Sequence, residues 1–164
     1  MGRFLAMLIG VAGAVFGSQG PGYTLQYMQN LQGAIDVLVP IVEKFDADVE
    51  SEGYTRSEAF AECRLASEIL ETMCGGYERS VDRLNELSIH LAELEDAGDL
   101  SRPLILARSF DPEIVSSVQK QFAPAIPTTA DGGIYAAGGF GASWGLSRFV
   151  FGLLGAMFGR SRFA

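Results

Sequence analysis

Hydrophobic and polar positions follow two regimes along this chain. Over residues 4–17 and 132–158 apolar residues and glycines run almost unbroken, while between them apolar residues recur in steps of three and four among charged ones. The unbroken runs predict membrane-spanning helices, and the stepped region predicts amphipathic ones. Every Asp and Glu lies between the two runs.

The stepped region reads as two long helices. From Thr24, the residues Met28, Leu31, Ile35, Leu38, Val42, Phe45 and Val49 form one narrow apolar seam, with Pro40 off it where it would bend the helix and Gly53 ending it. Thr55 opens a second helix, because its hydroxyl and Glu58 three residues on are spaced as a capping box. Its seam is Cys63, Ala66, Leu70, Met73, Tyr77, Ser80, Leu84, Leu87, Leu91 and Leu94. The short connection at Gly53 predicts an antiparallel hairpin. Residues 24–50 would span about 40 Å as helix and residues 55–96 about 63 Å, so the second arm overshoots. It either breaks at Gly75-Gly76 or runs beside an upward continuation of the first anchor. Beyond Gly98, Pro103 is expected to break any helix, Asp111-Pro112-Glu113 starts a short third helix to Phe122, and Pro124 and Pro127 mark a linker.

The predicted fold is therefore all-α: two terminal transmembrane helices bracketing an antiparallel helical hairpin plus a short third helix. The expected parts are an anchor at 1–22, an acidic helical domain at 23–131, and a glycine-rich transmembrane segment with a basic tail at 132–164. Small residues recur at four-residue spacing in both ends: Gly2, Ala6, Gly10, Ala14 and Ser18, and Gly133, Ala137, Gly141 and Gly145. Such ridges let helices approach closely in lipid, so these residues are the expected packing surfaces. The first run also has the look of a signal peptide, with Ala12-Gly13-Ala14 as a cleavage site. A retained anchor is favoured, because the ridge crosses that point. Thirteen apolar residues cover about 20 Å, so the span must draw on residues through Gly22.

Charge then sets the orientation. Of 12 Lys and Arg, four (Arg3, Arg148, Arg160, Arg162) lie in or beside the ends, leaving eight against 20 carboxylates in the middle. That surface repels phosphate backbones, which excludes nucleic acid as a partner. Arginines on the short tails and few basic residues on the domain side predict cytoplasmic termini and a middle outside, in a bacterial cell the periplasm. The expected partners are membrane lipid and either further copies of the chain or another envelope protein.

Catalytic and cofactor chemistry finds little footing. Gly139-Phe140-Gly141 lacks the final glycine of a dinucleotide loop, Trp144 standing there. Asp46, Asp48, Glu50 and Glu52 form an acidic turn, but Ser51 and Ser57 occupy the positions where a calcium loop needs glycine and glutamate. His90 is the sole histidine and sits at a helix surface or boundary, so no catalytic residue, metal or cofactor is expected. Cys63 and Cys74 leave two readings. The simpler is a pair of small core residues; a disulfide would need a sharp break between them or a second chain, since on one helix they lie about 16 Å apart. Arg148 interrupts the last run, at a cost of about 2.5 kcal/mol at a bilayer centre unless paired or snorkelling. Either the span ends near Ser147 or Arg148 meets a partner. A structural scaffold is the expected role, and a small transport or channel component with Arg148 facing the path is the alternative.

Ser18-Gln19-Gly20-Pro21, then Gln26-Tyr27-Met28-Gln29-Asn30-Leu31-Gln32-Gly33 and Asp36, resemble the opening motif of a proteobacterial family known only as a domain of unknown function, number twenty-nine thirty-seven in that series. Leu25 stands where that pattern has a first glutamine, and Gly22 where it has an acidic residue. The resemblance implies a bacterial inner-membrane protein with no assigned activity and no catalytic residues to carry over.

Overall fold

The computed structural model describes residues 2–124 and 128–158. In chain order the helices are α1 (Gly2–Ser18), α2 (Gly20–Ser51), α3 (Arg56–Leu65), α4 (Glu68–Asp96), α5 (Arg102–Arg108), α6 (Pro112–Gln121) and α7 (Ala130–Phe158). Among the described residues there is no strand, so the chain is all-α as its periodicity predicts. It divides into two compact units, Met1–Gln26 with Gly98–Ala164, and Tyr27–Ala97.

In the first unit the Ser-Gln-Gly-Pro motif forms the joint between α1 and α2. The Ser18 hydroxyl turns back to donate to the Val15 carbonyl at 2.8 Å, and the Gln19 amide donates to Phe16 at 3.1 Å. Helix resumes at once at Gly20, four residues before the expected start, with Pro21 in the first turn, where its missing N–H is no loss. The same physics corrects the expectation for Pro103. It opens α5 rather than preventing it, lying where helical N–H groups have no partner anyway. Asp111 caps α6 as predicted, accepting from the Glu113 and Ile114 amides at 3.0 Å each. Leu106, Ile114 and Val118 supply the buried side of α5 and α6, and Tyr23 meets Phe122 edge-on at 5.4 Å.

In the second unit Leu31, Ile35 and Val42 on α2 and Leu87, Leu91 and Leu94 on α4 are buried, all of them seam positions. Tyr27, one residue before the seam's Met28, is fully buried and bonds through its hydroxyl to His90 Nε2 at 2.9 Å. Phe45 stacks on Tyr77 at 4.7 Å. These two contacts pair α2 with α4 in opposite chain directions. Pro40 lies within α2, which continues past it.

The second arm does break, but at Ala66 and Ser67 rather than at Gly75-Gly76, which sit inside α4. Chain connectivity supplies the reason. With Tyr77 held against Phe45, an unbroken helix would carry Arg56 about 32 Å beyond that level, while Ser51 reaches only about 9 Å beyond it. The connection from Ser51 to Arg56 spans at most about 17 Å, so it cannot bridge the remainder. The chain instead folds back: Phe60 stacks on the same Phe45 at 5.1 Å, and Arg56 grips Asp46, Nε donating to Oδ1 at 2.6 Å. Folding back also brings Cys63 and Cys74 to a Cα separation of 6.2 Å, where they form a disulfide. The reading of two unlinked core cysteines is thereby overturned. Leu70 and Met73, seam residues near the break, are exposed.

The start of α3 is set by the predicted capping box. The Thr55 amide donates to Glu58 Oε2 at 2.8 Å, and the Glu58 amide donates to the Thr55 hydroxyl at 3.3 Å. Hydrogen bonds from Thr55 hold the Glu58 carboxyl below its ordinary value of 4.5. The Arg56 guanidinium likewise holds Asp46 below 3.8. Both carboxylates are easier to ionise folded than unfolded, so their stabilisation is complete above these ordinary values and disappears as pH falls through the depressed folded ones. Amide exchange in the first turn of α3, corrected for the intrinsic rate, is expected to stay flat from neutral pH to about pH 5 and to quicken below about pH 4. Protection unchanged down to pH 2 would show that neither carboxylate holds this turn.

Candidate functional site in the paired terminal helices

The functional surface the sequence points to is the contact between its two apolar ends, and α1 and α7 do pack on each other. Gly10 faces Phe140 and Trp144, Gly13 faces Gly139 and Ser143, and Gly17 faces Tyr135 and Gly139, so the helices run antiparallel. By this register the N-terminal end of α1 lies beside the C-terminal end of α7. The approach is backbone to backbone. A Cβ on Gly13 would stand 2.5 Å from the Gly139 carbonyl oxygen, one on Gly17 would stand 2.5 Å from that of Tyr135, and one on Gly139 would press on the Gly13 carbonyl group and on Gly17 Cα at 3.3 Å. Only glycine fits at these three positions, because the obstacle is main chain that cannot rotate away.

The expected packing residues divide. On α1, Ala6 and Gly10 are buried and Ala14 is half-buried. Gly2 is helical and nothing more is described of it. On α7 the contact falls on a different ridge from the one expected. Nothing lies within 4 Å of a Cβ on Gly133, Gly141 or Gly145, and Ala137 is exposed. Gly139, Ser143 and Ser147 take their place, with Ser147 buried and its hydroxyl donating to the Trp144 carbonyl at 2.9 Å. These residues also recur every four positions, as Gly13 and Gly17 do on α1, so the signal was present; α7 carries several such ridges and spacing does not choose among them.

Large side chains lie on the outside of the pair. Phe16 is 79% exposed, Phe4 70%, Leu146 66% and Phe149 64%. Among the described residues one helical run, Arg3–Ser51, is long and apolar enough to cross a membrane by length and composition, and only 17% of its most apolar stretch is buried. The second expected span, within α7, falls below that mark, its apolar residues diluted by glycine and Arg148. Arg148 is exposed, its guanidinium 5.7 Å from the Trp144 ring centroid, and α7 continues through it as helix. Arg160 and Arg162 of the basic tail lie outside the described residues.

Of the residues weighed for chemistry elsewhere, His90, Asp46 and Asp48 have structural partners. The His90 side chain is only 13% exposed, held by Tyr27 on one nitrogen and 4.0 Å from Glu93 on the other. In the acidic turn Asp46 binds Arg56, and Asp48 binds Lys44 at 3.1 Å. The family model described as Protein of unknown function (DUF2937) matches residues 1–160. The chain belongs to this family. No curated protein and no solved structure matches it. Within the family member the motif residues have distinct places: Ser18 to Pro21 form the joint from α1 to α2, Tyr27 and Leu31 are fully buried in the second unit, and Gln32 donates to Asp36 at 2.7 Å on the surface of α2.

Proposed function

We propose that this protein is a non-catalytic scaffold of the bacterial inner membrane, anchored by α1 and α7 as an antiparallel pair that holds the acidic unit outside the cytoplasm. The observation that carries the proposal is the inverted layering of the pair, small residues and glycines within and phenylalanine, leucine and valine without. Water penalises that arrangement, whereas lipid tails solvate the outer side chains and leave close backbone packing to hold the helices together. The Cys63–Cys74 disulfide supports an oxidising location for the acidic unit, since disulfides persist in the periplasm and are rare in the cytosol. Arg148 is accommodated by its stack on Trp144 and by a long stem that reaches toward the headgroups.

Two measurements on one strain test this. The full chain is expected to stay with the membrane pellet through alkaline carbonate washing, and an alkaline phosphatase inserted at Asp99 is expected to be active. Release into the supernatant would overturn the anchor, and an inactive phosphatase with the pellet intact would overturn only the orientation.

A further inference from the structure

Between the end of α2 and α3, wholly inside the unit Tyr27–Ala97, lies an open cleft of about 440 Å³. Phe45, Val49, Tyr54 and Ala59 give it a mostly apolar floor, and Glu52 and Glu62 stand at its rim beside Asp48. Lys44 already engages Asp48. Neither the Glu52 nor the Glu62 carboxylate has an ion pair or side-chain hydrogen bond among the described residues. The unit around them carries sixteen carboxylates against five Lys and Arg, a net charge of −11.

We propose that this cleft is a docking site for a basic amphipathic segment of a partner protein, whose Lys or Arg stems lie on the apolar floor while their heads meet Glu52 and Glu62. Chemistry narrows the occupant to that class. An anionic lipid or nucleic acid is repelled by the field of the unit. A bare divalent cation needs a cage of oxygens rather than an apolar floor. A quaternary ammonium group is held best by a cage of several open aromatic faces, and here Phe45 is already stacked by both Phe60 and Tyr77, which leaves Tyr54 alone to offer one. A long side chain with an apolar stem and a cationic end satisfies both parts of the surface at once. The fold-back of α3 creates the site, because it sets the α3 residues Ala59 and Glu62 across from Val49 and Glu52. The cleft is independent of the membrane anchor, since the second unit alone builds it.

The test uses the full chain in nanodiscs of zwitterionic lipid and a fluorescent amphipathic peptide of leucine and arginine, read by anisotropy. Saturable binding is expected, weakened about tenfold by Glu52→Gln with Glu62→Gln and by Ala59→Trp, which fills the cleft without altering charge. The pair Glu43→Gln with Glu71→Gln removes equal charge outside the cleft and is expected to change affinity less than twofold. An arginine-serine peptide of the same charge, lacking the apolar face, is expected to bind at least tenfold more weakly. Equal weakening by both carboxylate pairs, equal binding of the arginine-serine peptide, indifference to Ala59→Trp, or no saturable binding would each overturn the proposal.

Discussion

Replacing Gly139 with valine is expected to separate α1 from α7. The new side chain would have to occupy the space of the Gly13 carbonyl group and the Gly17 Cα, and neither can rotate aside because both belong to a helix backbone. Overfilling a packed contact costs about 1–3 kcal/mol, and here the only relief is to move the helices apart. Separation then forfeits dispersion along the whole contact, the term that holds helices together in lipid. A loss near the upper end of that range is expected, a hundredfold or so in the pairing equilibrium. Gly13→Val should behave alike. The informative comparison is Gly141→Val and Gly145→Val, which place the same side chain into open space on the other ridge of α7 and should leave pairing intact. Detergent-titration unfolding with a fluorescence reporter across the pair measures all four. If Gly141→Val proves as disruptive as Gly139→Val, the ridge expected from spacing is the true one and the register described here is wrong.

The second large effect is expected from the disulfide. Cys63→Ser with Cys74→Ser opens a loop of sequence separation 11, which chain entropy values at about 3 kcal/mol. The loss should be uneven. Near its start α3 keeps the Arg56–Asp46 pair and the stack of Phe60 on Phe45, whereas near its end Leu65 is 83% exposed and packs against little. Exchange is therefore expected to rise most from Cys63 to Ile69 and least around Leu87, Leu91 and Leu94. Reduction of the wild-type chain by a phosphine should reproduce the pattern without any substitution. Uniform loss of protection across the unit would mean that the bridge holds the whole unit rather than its fold-back.

The long helices other than the division of the second arm, the caps at Thr55 and Asp111, and the buried seams were legible in the sequence because each depends on neighbours three or four residues away; α5 was not, since Pro103 reads as a breaker until its place in a first turn is known. Asp111 and Thr55 cap where their spacing says, and Leu31, Ile35, Val42, Leu87, Leu91 and Leu94 are buried where the three-four rhythm says. The break at Ala66 and Ser67 was not legible, since those residues carry no glycine or proline signal and the cause lies in the reach of residues 52–55. The disulfide followed the break and was hidden with it. The packing ridge of α7 was hidden for another reason: Gly133, Ala137, Gly141 and Gly145 offer the same spacing as Gly139, Ser143 and Ser147.

What the sequence by itself determined about this protein is its helical class, its apolar ends and the acidity between them, all of which follow from local periodicity and composition. Which face of α7 meets α1, where the second arm turns, which cysteines join and where an apolar cleft acquires its carboxylate rim were decided only by tertiary structure. Each depends on a distance between residues far apart in the chain, set by loop reach and by how closely two backbones can approach, and neither quantity is written in the spacing of side chains along one helix.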